Sequence, residues 1–171
     1  NATLANAYMK VDTTQAPGTG IVGDTMQYHG SADLYSLASG ARAVATLYSD
    51  ATTATTSPAV TVRDVGTAGG HAAAFTYDLS RSIVYTRQGN PAWAGQERDG
   101  VVGIRPDDLF YGNAAGDPQP DWVNIGKLAI PQADEQQRLL ANLITQLSAD
   151  RKPIPRFWYF PRDVKAAIVM T

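Results

Sequence analysis

The feature that most constrains the fold is the run after Pro131. Leu139, Leu140, Leu143, Ile144 and Leu147 recur at helical spacing, while Glu135, Gln136, Gln137, Arg138 and Asn142 fall largely elsewhere. That pattern predicts an amphipathic helix over 131–149 whose leucine stripe forms one wall of a core. Lys152-Pro153-Ile154-Pro155 ends it and leads into the aromatic run Arg156-Phe157-Trp158-Tyr159-Phe160-Pro161.

A second local signal lies near the middle of the chain. His71-Ala72-Ala73-Ala74-Phe75-Thr76-Tyr77 reads as a buried strand, and Asp78 is placed to cap a helix from Leu79 to about Gln88. Its carboxylate can accept from the first free backbone N–H groups. Gly89-Asn90-Pro91 stops that helix, since Pro91 disfavours helical geometry at Asn90. A strand, a turn and a helix in this order make an α/β building block. Further strands are expected at 25–30, at Ala41–Tyr48 and at Pro58–Val65, the last as an edge or half-buried strand. The intervening 49–57 segment, small and polar, reads as an exposed loop. Residues 3–24 read as an irregular or partly helical lead-in. Residues 92–130 are loop-rich, a length that inside a compact domain points to functional surface or a covering arm.

Composition narrows the function classes. The chain has 171 residues, of which 44% are hydrophobic and 18% charged, enough for one domain with an ordinary core. Fourteen Lys and Arg against sixteen Asp and Glu give a net charge of −2, which argues against a nucleic-acid partner. No stretch approaches the length of a membrane span. The absence of Cys excludes disulfides, thiolate metal sites and a cysteine nucleophile. Asn1-Ala2 reads as a tag remnant, residues 3–161 as the domain itself, and 162–171 as the first strand of a following domain that is cut short.

Chemistry is sparsely written. There is no Gly-x-Ser-x-Gly elbow and no glycine-rich phosphate loop. His29 and Asp33 stand four apart, and His71 is remote from both. As metal ligands or hydrolytic residues they compete with simpler roles at strand ends and turns, so no catalytic residue, metal ligand or cofactor is assigned. Asp107-Asp108, after Pro106, has the character of a turn or cap. The denser surface is Arg87 to Asp99, which brings donors, acceptors and an aromatic together. Arg87, Gln88, Asn90, Trp93 and, from further on, Trp122 are the candidate ligand-binding residues. Flat rings beside amides and charges suit sugars, which present apolar C–H faces and hydroxyl rims. The competing role for each ring is to hold a long loop onto the body.

At Phe75-Thr76-Tyr77-Asp78-Leu79-Ser80-Arg81-Ser82 with Gln88-Gly89-Asn90-Pro91 the chain resembles the strand–helix unit of class I glutamine-amidotransferase-like domains. The noncatalytic versions beside bacterial carbohydrate enzymes, as in the trimerisation domain of some β-galactosidases, are the nearest kind. Separately, Ala166-Ala167-Ile168-Val169-Met170-Thr171 resembles the first strand of a polysaccharide deacetylase (NodB-like) domain, in which that strand runs into a Thr-x-Asp-Asp metal motif. The two likenesses together span residues 25–171. They imply an α/β fold with an amidotransferase-like (flavodoxin-like) sheet, flanking helices and long ordered loops, of which this chain holds all or part. They further imply a noncatalytic accessory domain of an exported bacterial protein, periplasmic or extracellular, acting by packing on a following catalytic domain or by holding a glycan. The catalytic Cys of the first family and the Asp and His ligands of the second are missing, so neither family's chemistry transfers to a residue here. A hydrolase using His29, Asp33 or His71 near 87–99 is the alternative. An assembly module forming a homo-oligomer through 156–161 is another.

Overall fold

The structure is a computed structural model that describes residues 2–95, 109–110 and 121–148. Among the described residues seven strands run in chain order: β1 (Thr3–Ala5), β2 (Tyr8–Val11), β3 (Met26–Gln27), β4 (Ser31–Asp33), β5 (Ala41–Tyr48), β6 (Ala54–Val65) and β7 (Gly70–Phe75). Two helices follow, α1 (Leu79–Gln88) and α2 (Gln132–Ser148), with short 3-10 turns at Pro91–Trp93 and Ile125–Lys127. Five strands form one sheet in the order β3-β2-β5-β6-β7, and β1 pairs with β4 in a two-stranded ribbon. The α/β mixture matches expectation. Every strand pairing among the described residues is antiparallel, however, unlike the parallel order of a flavodoxin-like sheet.

Local chemistry accounts for most of these elements. Asp50 folds the β5–β6 turn by accepting the Thr52 and Thr53 N–H groups through one oxygen, each at 2.8 Å. The polar stretch therefore does not stay a loop, and its second half, Ala54–Ser57, joins β6. Pro58 lies opposite Thr46, where the β5–β6 register shifts. Proline has no N–H to give the ladder, so an irregularity falls where one bond is missing.

The lead-in differs from expectation. Tyr8–Val11 is a strand inside the main sheet, with Met9 and Val11 buried and Lys10 exposed. Four residues of alternation carry too little signal against the surrounding Thr, Gly and Ala. The carbonyl of Ala2 also takes part, accepting the Leu34 N–H at 3.0 Å. Conversely, the alanines of β7 are exposed rather than buried, because β7 is the last strand of its sheet.

The core lies between the sheet and α2. Met9, Met26, Tyr28, Val44, Leu47, Val60, Leu139 and Leu143 are fully enclosed. Tyr28 and Tyr77 stack with centroids 5.0 Å apart. Burial pushes both phenols well above the ordinary tyrosine range. Tyr28 donates to the Leu4 carbonyl at 2.7 Å, which satisfies its hydroxyl. The leucine stripe of α2 is only half correct as a core face: Leu139 and Leu143 are buried, while Leu140 and Ile144 face solvent. Their place is taken by Gln132, Ala133, Glu135 and Gln136.

Candidate functional site

The end of α1, the start of α2 and two loop segments converge on one region. Asp78 caps α1 as the sequence predicts, accepting the Arg81 N–H at 2.9 Å, and these bonds hold its carboxyl below the usual range. Gly89 ends the helix with φ of 87° and ψ of −172°, backbone that side chains rarely adopt. A Cβ there would stand 2.5 Å from Leu109 Cβ. The space is needed because Asn90 donates its N–H to the Leu109 carbonyl at 2.8 Å. Gly89→Ala should therefore lower stability by about 2 kcal/mol or more. Urea unfolding checks this, and an unchanged midpoint would mean that the approach of Leu109 is not maintained.

The candidate ligand residues come into this region and are largely occupied by the fold. Arg87 donates to Asp134 and, at 2.9 Å, to Gln137, both on α2. Asn90 caps the Pro91–Trp93 turn by accepting the Ala92 N–H at 3.0 Å. Trp93 is only 6% exposed and meets Trp122 edge to face at 6.0 Å. Trp122 lays its face on His29, with centroids 4.1 Å apart and planes 13° from parallel, and donates its indole N–H to the Tyr85 carbonyl. The two tryptophans thus anchor loops to the body, and neither lines a cavity described among these residues. Gln88 remains exposed.

Among the described residues a cavity of about 340 Å³ lies between α1 and α2. Arg87 and Asp134 stand at it, with Phe110, Val123, Leu128 and Ile130 supplying apolar walls. Leu128 is 51% exposed and Ile125, in the adjoining turn, 61%. Asp24 anchors that turn through Lys127, 2.7 Å away, a partner that lowers the Asp24 carboxyl.

Beneath the cavity lies a buried polar network. Gln136 accepts from the Tyr77 and Ser82 hydroxyls at 3.2 and 2.8 Å and donates to the Gln27 carbonyl at 3.1 Å. Gln132 accepts the Gln27 N–H at 2.5 Å. Gln27 in turn donates to the Trp122 carbonyl and accepts the Asn124 N–H. These glutamines escape a reading by periodicity, because polar residues on an amphipathic helix look like its wet face. Only the companion hydroxyls across the fold reveal their task.

The hydrolytic candidates are dispersed. The His29 backbone N–H points to Ser82 Oγ at 3.2 Å, but both ring nitrogens are buried without a hydrogen-bond partner among the described residues. Burial lowers the His29 pKa to about 4. Asp33 accepts from the Tyr35 hydroxyl at 3.0 Å. His71 sits on β7, paired with Asp64 at 2.8 Å. Among the described residues no group of three His, Asp or Glu side chains is placed to hold a metal ion. The aromatic run 156–161, the pair Asp107-Asp108 and the strand 166–171 lie outside the described residues. No helix among those described is long and apolar enough to cross a membrane. Compared with protein-family models, curated proteins and solved structures, the chain matches none.

Proposed function

We propose that this chain is a noncatalytic accessory domain of an exported bacterial carbohydrate-active protein, one that works through the cavity between α1 and α2. The supporting observation is the exposed apolar lip of Ile125 and Leu128 beside a half-open, mostly apolar cavity with the Arg87–Asp134 pair at its edge. Apolar surface left in water next to a concavity is characteristic of an interaction face. Packing against a following catalytic domain uses that face best, and a glycan held at Arg87 and Gln88 is the other form of the same proposal. The amidotransferase-like and deacetylase-like kinship belongs to this proposal and rests on the residues quoted for it. So do the domain limits of 3–161 and 162–171.

In the full-length protein, Ile125→Asp with Leu128→Asp should uncouple the thermal transition of this domain from that of its neighbour, leaving the isolated domain's midpoint nearly unchanged. A full-length melt indistinguishable from the unmodified protein would end the packing form. Absence of oligosaccharide binding in the millimolar range would end the glycan form. A second reading, a homo-oligomer, is favoured by β7, which among the described residues pairs with a strand on one side only and so presents an edge to another strand.

A further inference from the structure

His29 is a titratable side chain enclosed without a partner. Its residue is 2% exposed, and neither ring nitrogen has a hydrogen-bond partner among the described residues. Trp122 covers one face of the ring at a centroid distance of 4.1 Å, and Ser82 on α1 takes the backbone N–H. Tyr85 adjoins Trp122, and Gln136 of α2 stands behind Ser82. The charged groups of these elements have engagements of their own. Arg81 pairs with Asp78, Arg87 pairs with Asp134, and Glu135 takes the Val22 N–H and faces Arg138. Asp121, beside Trp122, is likewise engaged. None of these charges bears on the imidazole, whose proton affinity is lowered by burial alone.

The cover over His29 is a short strap, residues 121–124, that belongs to no helix or strand. Trp122 and Val123 donate their N–H groups to one acceptor, the Phe110 carbonyl, at 2.7 and 3.3 Å. Side chains hold the rest. Gln27 donates to the Trp122 carbonyl and accepts the Asn124 N–H, while the Asn124 amide donates to the Tyr8 hydroxyl. A segment outside any ladder opens locally at lower cost than a sheet strand. Val123 also lines the cavity between α1 and α2. A proton on His29 would place a charge and two N–H donors where no acceptor waits. The ring planes lie 13° from parallel, so both N–H bonds would run alongside the indole rather than into its face. We infer that His29 is an acid-sensitive latch: on taking a proton it releases Trp122, and the 121–124 strap lifts to open the cavity wall at Val123. The latch acts whatever partner the cavity takes, and its test reads the strap rather than binding.

Amide hydrogen exchange of the full chain, followed by NMR from pH 7 to 4.5 and corrected for intrinsic rates, measures opening of the strap. Opening at Trp122, Val123 and Asn124 should be constant near pH 7 and rise about tenfold per pH unit below 6, because the released ring regains its ordinary pKa of 6.5. The amides of β5 should stay protected throughout. His29→Phe, which keeps a ring on Trp122 and takes no proton, should abolish the rise. Val123→Cys gives a second readout, since it places the single thiol in a chain without cysteine. Its modification by a dipyridyl disulfide, relative to a free thiol, should accelerate over the same range. Strap opening or thiol modification that does not change with pH overturns the inference, and so does an equal rise in His29→Phe. Loss of β5 protection in step with the strap also overturns it, because that is unfolding of the whole domain.

Discussion

Gln136→Leu is expected to remove about 4 kcal/mol of stability, a large share of what a domain of this size usually has. Gln136 is fully enclosed and uses both ends of its amide, accepting from Tyr77 and Ser82 and donating to Gln27. Leucine would leave two hydroxyls and one carbonyl short of partners in a dry site. Each unsatisfied group costs on the order of 1–3 kcal/mol, softened here because Tyr77 can still turn to Met9 Sδ at 3.3 Å. Adding Ser82→Ala removes one stranded hydroxyl, so the double variant should lose less than the two single losses added together. Denaturant midpoints decide between the outcomes. A Gln136→Leu protein as stable as the unmodified one would show that the network contributes nothing to holding α2 on the sheet.

Acidification should weaken the protein through His29. The ring is 2% exposed, stacked on Trp122, and burial lowers its pKa from 6.5 to about 4. In the unfolded chain the imidazole takes a proton as pH falls below about 6.5, whereas in the folded protein it stays neutral until about pH 4. The unfolded state therefore binds more protons across that window. The His29 contribution should be flat above pH 6.5, fall by about 3 kcal/mol toward pH 4, and level off below. Asp12, Asp24 and Asp78, all lowered from 3.8, lose their contributions only below that window. His29→Phe keeps a flat ring on Trp122 and discards two unpartnered nitrogens. It should flatten the slope between pH 6.5 and 4.5 without loss of stability at pH 7. Equal slopes in the two proteins would exclude His29 as the source.

The sequence was most legible where the deciding forces are local. Asp78 and Gly89 mark the two ends of α1, because a cap needs only a side-chain oxygen and a termination needs only a backbone free to turn. β5 spans Ala41–Tyr48 as read, and α2 falls within the expected 131–149. The candidate site was legible as a neighbourhood: Arg87, Asn90, Trp93 and Trp122 do come into one region. Their tasks were not. Whether an indole faces solvent or a buried imidazole depends on what arrives from residue 29, almost a hundred positions away.

By itself, then, the sequence determined the two helices, the caps of α1 and the strand β5, together with the exclusion of cysteine chemistry. Those properties follow from hydrogen bonds and side-chain periodicity within a few residues. Tertiary structure alone decided that the sheet is antiparallel, that β7 is left at its edge, and that the glutamines of α2 rather than Leu140 and Ile144 turn inward. An amide can be buried only where distant partners satisfy it, and Tyr77, Ser82 and Gln27 meet Gln136 only once the chain has folded.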